Sequence, residues 1–318
     1  VTFEELTLLI DQQLDPSATV ARLLELNGFG GGDRSNDLMV VAGSQRYGSV
    51  LSPSLGSRLI AEGMSKESYS LSVDIGDPEA VASGLACGGS VRVVVHPSAW
   101  LTDIGPHVGA RRPFALVTTL DAQSRPTGIQ LVTIDDPGDS PGAQEAAQLL
   151  ARGRAGVSVL DLEHLTLHIH CFIPSSRLLI IGGGVLAKAL RIQGDLLGIE
   201  VMQSEPGETF PAVGRSDGVV VLDHDHDHVT PLLRHLLQDT EVCYVGSLGS
   251  RGTQEERRRR LLECDCGKHL GRVYGPAGLD IGSRSTEETA VAIIAEMISV
   301  LRGRSGASLR AVRGPING

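Results

Sequence analysis

The chain has 318 residues and a formal net charge of -10, from 28 lysines and arginines against 38 aspartates and glutamates. That length accommodates two domains with a sizeable core, and that charge without a large basic patch argues against a nucleic-acid partner. No apolar run reaches the ~20 residues that span a bilayer, and the acidic start VTFEELTLLIDQQ lacks the basic region of a signal peptide, so a cytoplasmic protein without a membrane span is expected.

Few aromatics, 39 glycines and many small aliphatic residues suit an α/β fold with buried strands. The five cysteines, an odd number in a long chain, read as thiols in a reducing compartment and not as a disulfide framework.

In chain order, residues 19–30 (TVARLLELNGFG) read as a strand or short helix ending in a glycine turn. DLMVVAG and YGSVL read as strands, and residues 53–64 (PSLGSRLIAEGM) as a helix. YSLSVDIG and SVRVVVHP alternate with period two and read as strands; residues 112–134 read as a hairpin. Residues 135–142 (DDPGDSPG) are the best linker, and residues 156–174 suggest two further strands.

From Arg177 the pattern changes. Strands RLLIIG, IEVMQSE, DGVVVL and EVCYVGS alternate with helices VLAKALRIQGDLLG, VTPLLRHLLQ and TQEERRRRLLEC, which implies βαβ units and a doubly wound parallel sheet. A last helix follows Ser285, which with Glu288 fits a capping box.

Gly182, Gly184 and Ala187 fit G-x-G-x-x-A. The first glycine permits the turn, the second a close approach of backbone to a pyrophosphate, and the small third residue close packing of helix on sheet. Glu205 ends the next strand near the offset at which an acid reads a ribose hydroxyl. NAD(P) or another nucleotide is therefore a candidate ligand, against a reading in which the glycines only allow packing. A hydride-transfer enzyme also needs a poised acid or base; no Tyr-x-x-x-Lys pair is present, and the candidates are His224, His226 and His228.

Those histidines lie in DHDHDH, residues 223–228. An extended chain would put the three on one face, a spacing that can bind zinc, nickel or iron; a solvated loop is the competing reading. Gly246, Gly249 and Ser250 in GSLGSR would give a nest of N–H donors and Arg251 a guanidinium fork for a phosphate, ahead of a helix starting near Thr253 with Glu256 as its capping partner. Arg257–Arg260 read as a solvated helix face balanced by Glu255 and Glu256. Cys264, Cys266 and His269 fall short of a zinc set and read as a loop. Asp280 in GLDIG either turns toward a nucleotide or fixes the turn. Cys87, followed by Gly88 and Gly89, sits at a strand start where a thiol beside open N–H groups could ligate a soft metal; a small buried thiol is the bland alternative.

Four regions carry a resemblance to the XdhC/CoxI family, accessory proteins of molybdenum hydroxylases: GLACGGSVRVVVHP (84–97), RLLIIGGGVLAKAL, VVVLDHDHDHVTPLLRHLL (219–237), and the pair YVGSLGSRGTQEERRRRLLE (244–263) and GPAGLDIGSRSTEETAVAIIAEMISVLRG (275–303). The pattern along the chain divides it into an N-terminal domain over 1–110, which the resemblance makes XdhC/CoxI-like, connecting strands and linker over 111–172, a Rossmann-like domain over 173–305 and a disordered tail expected over 306–318. The resemblance implies a maturation factor without a substrate of its own, which binds molybdenum cofactor (molybdopterin) and passes it to an apo-molybdenum hydroxylase of the xanthine or carbon monoxide dehydrogenase type. A cysteine desulfurase is an implied further partner, and a homo-oligomer the implied assembly.

On the same resemblance, Cys87, Gly88, Gly89, Gly182, Gly184, Glu205, His224, Gly249, Ser250, Arg251 and Asp280 are the cofactor-facing residues, with no catalytic residue and no dedicated metal site. The sequence departs from the family at two places. A Gly-Gly-Cys segment is replaced by Ser52, Pro53 and Ser54, and a threonine before the histidine is Asp223. An NAD(P)-dependent oxidoreductase and a nucleotide-binding sensor are the alternatives.

Overall fold

The structure, a computed structural model, describes Phe3, Leu6 and residues 18–29, 37–61, 68–82, 87–163 and 165–312. The expectations for the N-terminal VTFEELTLLIDQQ, for residues 62–64 and for tail residues 313–318 lie outside the described residues, Phe3 and Leu6 apart. The chain divides into two units, Val1–Pro174 and Ser175–Gly318.

The first unit contains two antiparallel sheets. Strands β1 (Thr19–Gly28), β2 (Leu38–Ala42), β3 (Gln45–Ser49), β4 (Tyr69–Ile75) and β5 (Gly89–Pro97) form one, in the order β3-β2-β1-β5-β4. Strands β6 (Phe114–Leu120), β7 (Pro126–Val132), β8 (Gly156–Leu162) and β9 (Leu165–Phe172) form the other, in the order β7-β6-β9-β8. Helices α1 (Pro53–Ala61), α2 (Asp77–Ala82), α3 (Gly105–Gly109) and α4 (Pro141–Ala151) also belong to the unit.

Period-two alternation builds the layers. Ala21, Leu23, Val91, Val93 and Val95 pack beneath Leu55 and Leu59 of α1. The opposite face presents Val20, Leu38 and Val40 to Phe114, Leu116 and Phe172 of the second sheet. The far side of that sheet, through Ala115, Val117 and Ile169, packs against Ala143, Ala146 and Leu150 of α4.

Residues 114–172 are thus an integral part of the first unit's core. The expected boundary near 110 and the linker at 135–142 are corrected to a single division after Pro174. The physical reason is the shared core: Phe114 and Phe172 stack at 5.0 Å within the layer that also holds Val20 and Leu38.

A polar strip runs through that layer. Arg22 is fully buried, donates through Nε to His96 Nε2 (3.2 Å) and through Nη2 to Thr118 Oγ1, while His96 Nδ1 lies 2.9 Å from the Pro97 carbonyl. These contacts assign the neutral, Nδ1-protonated tautomer to His96. Burial and the Arg22 charge pull its pKa down to about 3, and burial pulls the Arg22 guanidinium down to about 9.

The second unit is a parallel sheet. Strands β10 (Arg177–Ile181), β11 (Glu200–Ser204), β12 (Gly218–Val221), β13 (Tyr244–Ser247) and β14 (Val273–Tyr274) lie in the order β11-β10-β12-β13-β14. Helices α5 (Val185–Leu196) and α8 (Thr286–Leu301) cover one face, where Ala187 and Leu190 meet Ile293 and Met297. Helices α6 (His226–Gln238) and α7 (Arg251–Glu263) cover the other through Val229, Leu233 and Leu261. The connection after β10 therefore goes to one face and that after β12 to the other. The neighbouring carboxyl ends of β10 and β12 are a topological switch point, where open α/β sheets bind ligands. The doubly wound fold expected from residue 177 onward is the fold observed.

Candidate functional site

Three chain exits meet along the carboxyl edge of the parallel sheet. The first is the glycine turn after β10. Gly182 has φ +101° and a Cβ there would stand 3.4 Å from Leu222 Cβ, so the turn hugs the end of β12. It is held by Gly182 N–H to the Ser204 carbonyl (2.9 Å) and Gln203 Nε2 to the Gly182 carbonyl (3.1 Å). Gly184, φ +96°, is the N-cap of α5; no side chain caps this helix, and a Cβ on Gly184 would meet nothing within 4 Å. The first N–H groups of α5 are thus left without a side-chain cap beside an open backbone position, an arrangement suited to a phosphate. A Cβ on Gly183 would lie 3.7 Å from Glu205 Oε1, so the acid expected to read a ribose stands beside the turn.

The second exit is Asp223–His224 after β12. Asp225 caps α6 by accepting from Asp227 N–H (2.8 Å), and the helix starts at His226, three residues before the expected start. The one-face arrangement of His224, His226 and His228 is therefore corrected. Helical rotation of about 100° per residue separates His226 from His228 by more than half a turn, and no group of three metal-capable side chains occurs among the described residues. His224 itself is exposed, and His228 Nδ1 lies 3.5 Å from Asp223 Oδ2.

The third exit is Leu248–Ser250 after β13. Gly249, φ +135°, approaches Thr253 so closely that a Cβ would lie 2.9 Å from its methyl group. Ser250 is the N-cap, accepting from Thr253 N–H (3.2 Å), so α7 begins at Arg251 and not near Thr253. The expected Thr253–Glu256 capping box is replaced by this cap; Glu256 instead accepts from Arg259 and Arg260, which hold its carboxyl down at about 2. Arg251 is exposed on the first turn of α7.

The residue that joins these exits is Arg257. Expected on a solvated face, it is 1% exposed. Its Nη1 donates to Ser247 Oγ (2.6 Å) and the Leu248 carbonyl, and its Nη2 to the Asp223 carbonyl (2.9 Å). Burial lowers its pKa, and Asp223 opposes that shift; an arginine stays charged regardless. Four consecutive arginines conceal this role, but helical spacing reveals it: Arg257 shares a face with Leu261 four residues on and with Gln254, whose Nε2 donates to the Ser247 carbonyl (2.9 Å).

Asp280 is exposed, in a loop docked on α8 by Gly278 N–H to Glu296 (2.8 Å) and Leu279 N–H to the Ala292 carbonyl (3.2 Å). Cys264 follows α7 as its C-cap, and buried Cys266 points its Sγ at the Cys264 carbonyl (3.5 Å), which accords with a loop.

In the first unit Cys87 is an exposed thiol. Its two glycines are packing residues. Gly88 N–H donates to Asp77 Oδ1 (2.7 Å), and a Cβ on Gly88 would collide with the Ile75 carbonyl. A Cβ on Gly89 would collide with the Asn27 carbonyl and the Phe29 ring. The expectation of open N–H groups beside the thiol is corrected for Gly88, which is already satisfied, and for Gly89, which is a ladder residue of β5. At the place of the missing family cysteine, Ser52 accepts from Leu55 N–H (3.2 Å) and so caps α1.

Residues 178–297 match the family model of the XdhC Rossmann domain. Residues 178–297 thus carry a Rossmann domain of the XdhC family. A Bacillus subtilis (strain 168) protein described as a probable xanthine dehydrogenase subunit is 37% identical over 83 residues, 26% of this chain and 23% of that protein. An uncharacterized Escherichia coli (strain K12) protein, YqeB, is 27% identical over 153 residues, 41% of this chain and 28% of the relative. The chain thus spans about a quarter of the length of these curated relatives. A crystal structure described as a xanthine dehydrogenase from Bacillus halodurans matches the fold with a TM-score of 0.56 at 19% identity, covering 97% of this chain and 98% of that one. No helix among the described residues is long and apolar enough to cross a membrane.

Proposed function

We propose that this chain is an accessory protein that binds molybdenum cofactor and assists its maturation and insertion into a molybdenum hydroxylase. The observation that carries the reading is the switch-point edge itself, with its uncapped α5 N-terminus, open Gly184 and exposed His224 and Arg251, in a domain of this family. The B. subtilis relative's description as a probable xanthine dehydrogenase subunit suggests the client class.

The residues fit a phosphate-bearing cofactor. Gly182 and Gly184 let backbone approach the phosphate, the first N–H groups of α5 bind it, and Arg251 adds a guanidinium fork. Gly249 and Ser250 shape the neighbouring exit, while Asp280 and His224 offer a carboxylate and an imidazole to the polar remainder. Cys87, with its glycine-shaped turn, is the soft ligand of the first unit. When bound, the cofactor supplies a metal dithiolene, for which a thiolate is a suitable partner. The chain's own task is to hold and release, with no substrate turned over. A cysteine desulfurase partner, self-association and a cytoplasmic location belong to the same reading.

A nucleotide is the second reading of the site, favoured by Glu205 beside Gly183. An NAD(P)-dependent oxidoreductase or a nucleotide sensor would use the same turn.

The test is to produce the chain alongside molybdenum-cofactor synthesis and measure molybdenum and pterin per mole of protein. The wild type retains both, and Gly184→Asp, which aims a carboxylate at the phosphate, loses both without a lower melting temperature. Cys87→Ser loses molybdenum with the melt unchanged. Molybdenum-free wild-type protein that binds NADP in calorimetry and oxidises NADPH would overturn the accessory role in favour of the oxidoreductase.

A further inference from the structure

We propose that the cavity between α7 and β14 binds a phosphorylated small molecule with an apolar body about the size of one ring. The cavity measures about 250 Å3, and one of ~150 Å3 already admits a benzene ring. Leu261, Leu270, Val273 and Pro276 supply an apolar wall. Arg251, Arg257 and Arg258 supply the facing wall, against a single carboxylate, Glu255.

The cations of α7 divide by their partners. Arg259 and Arg260 are engaged by Glu256, Glu263 and Asp227. Arg251 and Arg258, the exposed pair that lines the cavity, have no ion pair among the described residues. Arg257 adds an independent sign. Its Nη atoms are satisfied, yet its buried Nε–H has no acceptor among the described residues. Buried donors without acceptors are rare and point to a missing partner. An oxyanion suits the basic wall of the cavity, because guanidinium groups bind phosphate through paired hydrogen bonds and the N-terminal turn of α7 at Arg251 adds positive potential.

The pocket is distinct from the Gly182–Gly184 turn. Arg251 is common to both, and the proposal does not rest on the cofactor reading. The probes are phenyl phosphate, inorganic phosphate and phenol, titrated calorimetrically into the full chain, its Arg258→Ala variant and its Gly184→Asp variant, with a thermal melt of each. Phenyl phosphate binds more tightly than the other two probes. Arg258→Ala weakens it about tenfold, the loss expected for a charge-assisted contact. Arg258→Lys, which retains the charge, falls between, and Gly184→Asp binds as the wild type does. The proposal is overturned by no saturable binding to the wild type, by equal affinity for inorganic phosphate, by unchanged affinity in Arg258→Ala, or by loss in Gly184→Asp alone.

Discussion

Arg257 ties together the chain exits after β12 and β13 at the edge of the parallel sheet. From a buried guanidinium it supplies charge-assisted hydrogen bonds to groups from both β12 and β13 exits. Truncation to alanine leaves the Asp223 and Leu248 carbonyls without these donors. We expect Arg257→Ala to lower stability by roughly 3 kcal/mol in urea unfolding, from the range for hydrogen bonds to charged groups. Arg257→Lys recovers only part of this, because one ammonium cannot reproduce the planar fork. A melt unchanged by Arg257→Ala would mean that the two exits are held by their backbone bonds alone.

At the scale of elements, α8 offers a cap that can be tested. Ser285 Oγ accepts from Glu288 N–H (3.1 Å) while the Glu288 carboxylate accepts from Ser285 N–H (3.2 Å), the reciprocal pair expected from STEE. Ser285→Ala should reduce stability by about 1 kcal/mol, read as a drop in denaturation midpoint at constant slope. The strands and the last helix were legible because their patterns are local. Alternation marks VRVVVHP, and apolar recurrence at helical spacing marks 290–301. Helix α4 escaped because Pro141 and Gly142 look like loop residues, although Ser140 as N-cap and proline in the first turn form a helix start. The early start of α6 escaped because Asp225 reads equally well as part of a polar run and as a cap. Of the site, the glycines and Glu205 were legible because they serve one local turn. Arg257 was not, because its partners lie up to 34 residues away in sequence.

For the whole molecule, the two units should differ in their response to acid. His96 is neutral in the fold, with a pKa near 3 instead of 6.5, and burial also lowers that of His168. Between pH 6.5 and about 3 the unfolded chain takes up a proton at His96 that the folded chain does not. Stability is therefore complete above pH 6.5 and is lost as pH falls, at up to about 1.4 kcal/mol per pH unit from this residue. Urea unfolding monitored at Trp100, which stacks on His96 at 5.4 Å, should show the midpoint falling between pH 7 and pH 5. His96→Gln should flatten that slope. A midpoint independent of pH over this interval would exclude a buried neutral His96.

The glycines beside Cys87 bear on how mutational tolerance can be interpreted at this spot. Gly88 and Gly89 each lack the room for even a methyl group, because carbonyls of β4 and β1 already occupy it. In a saturation library both positions would be intolerant whether or not the thiol has any task. A depleted Cys-Gly-Gly segment would then report backbone crowding at two of its three positions. Only the spectrum of substitutions at position 87, scored under selection for hydroxylase activity and again for abundance alone, separates a working thiol from a crowded turn.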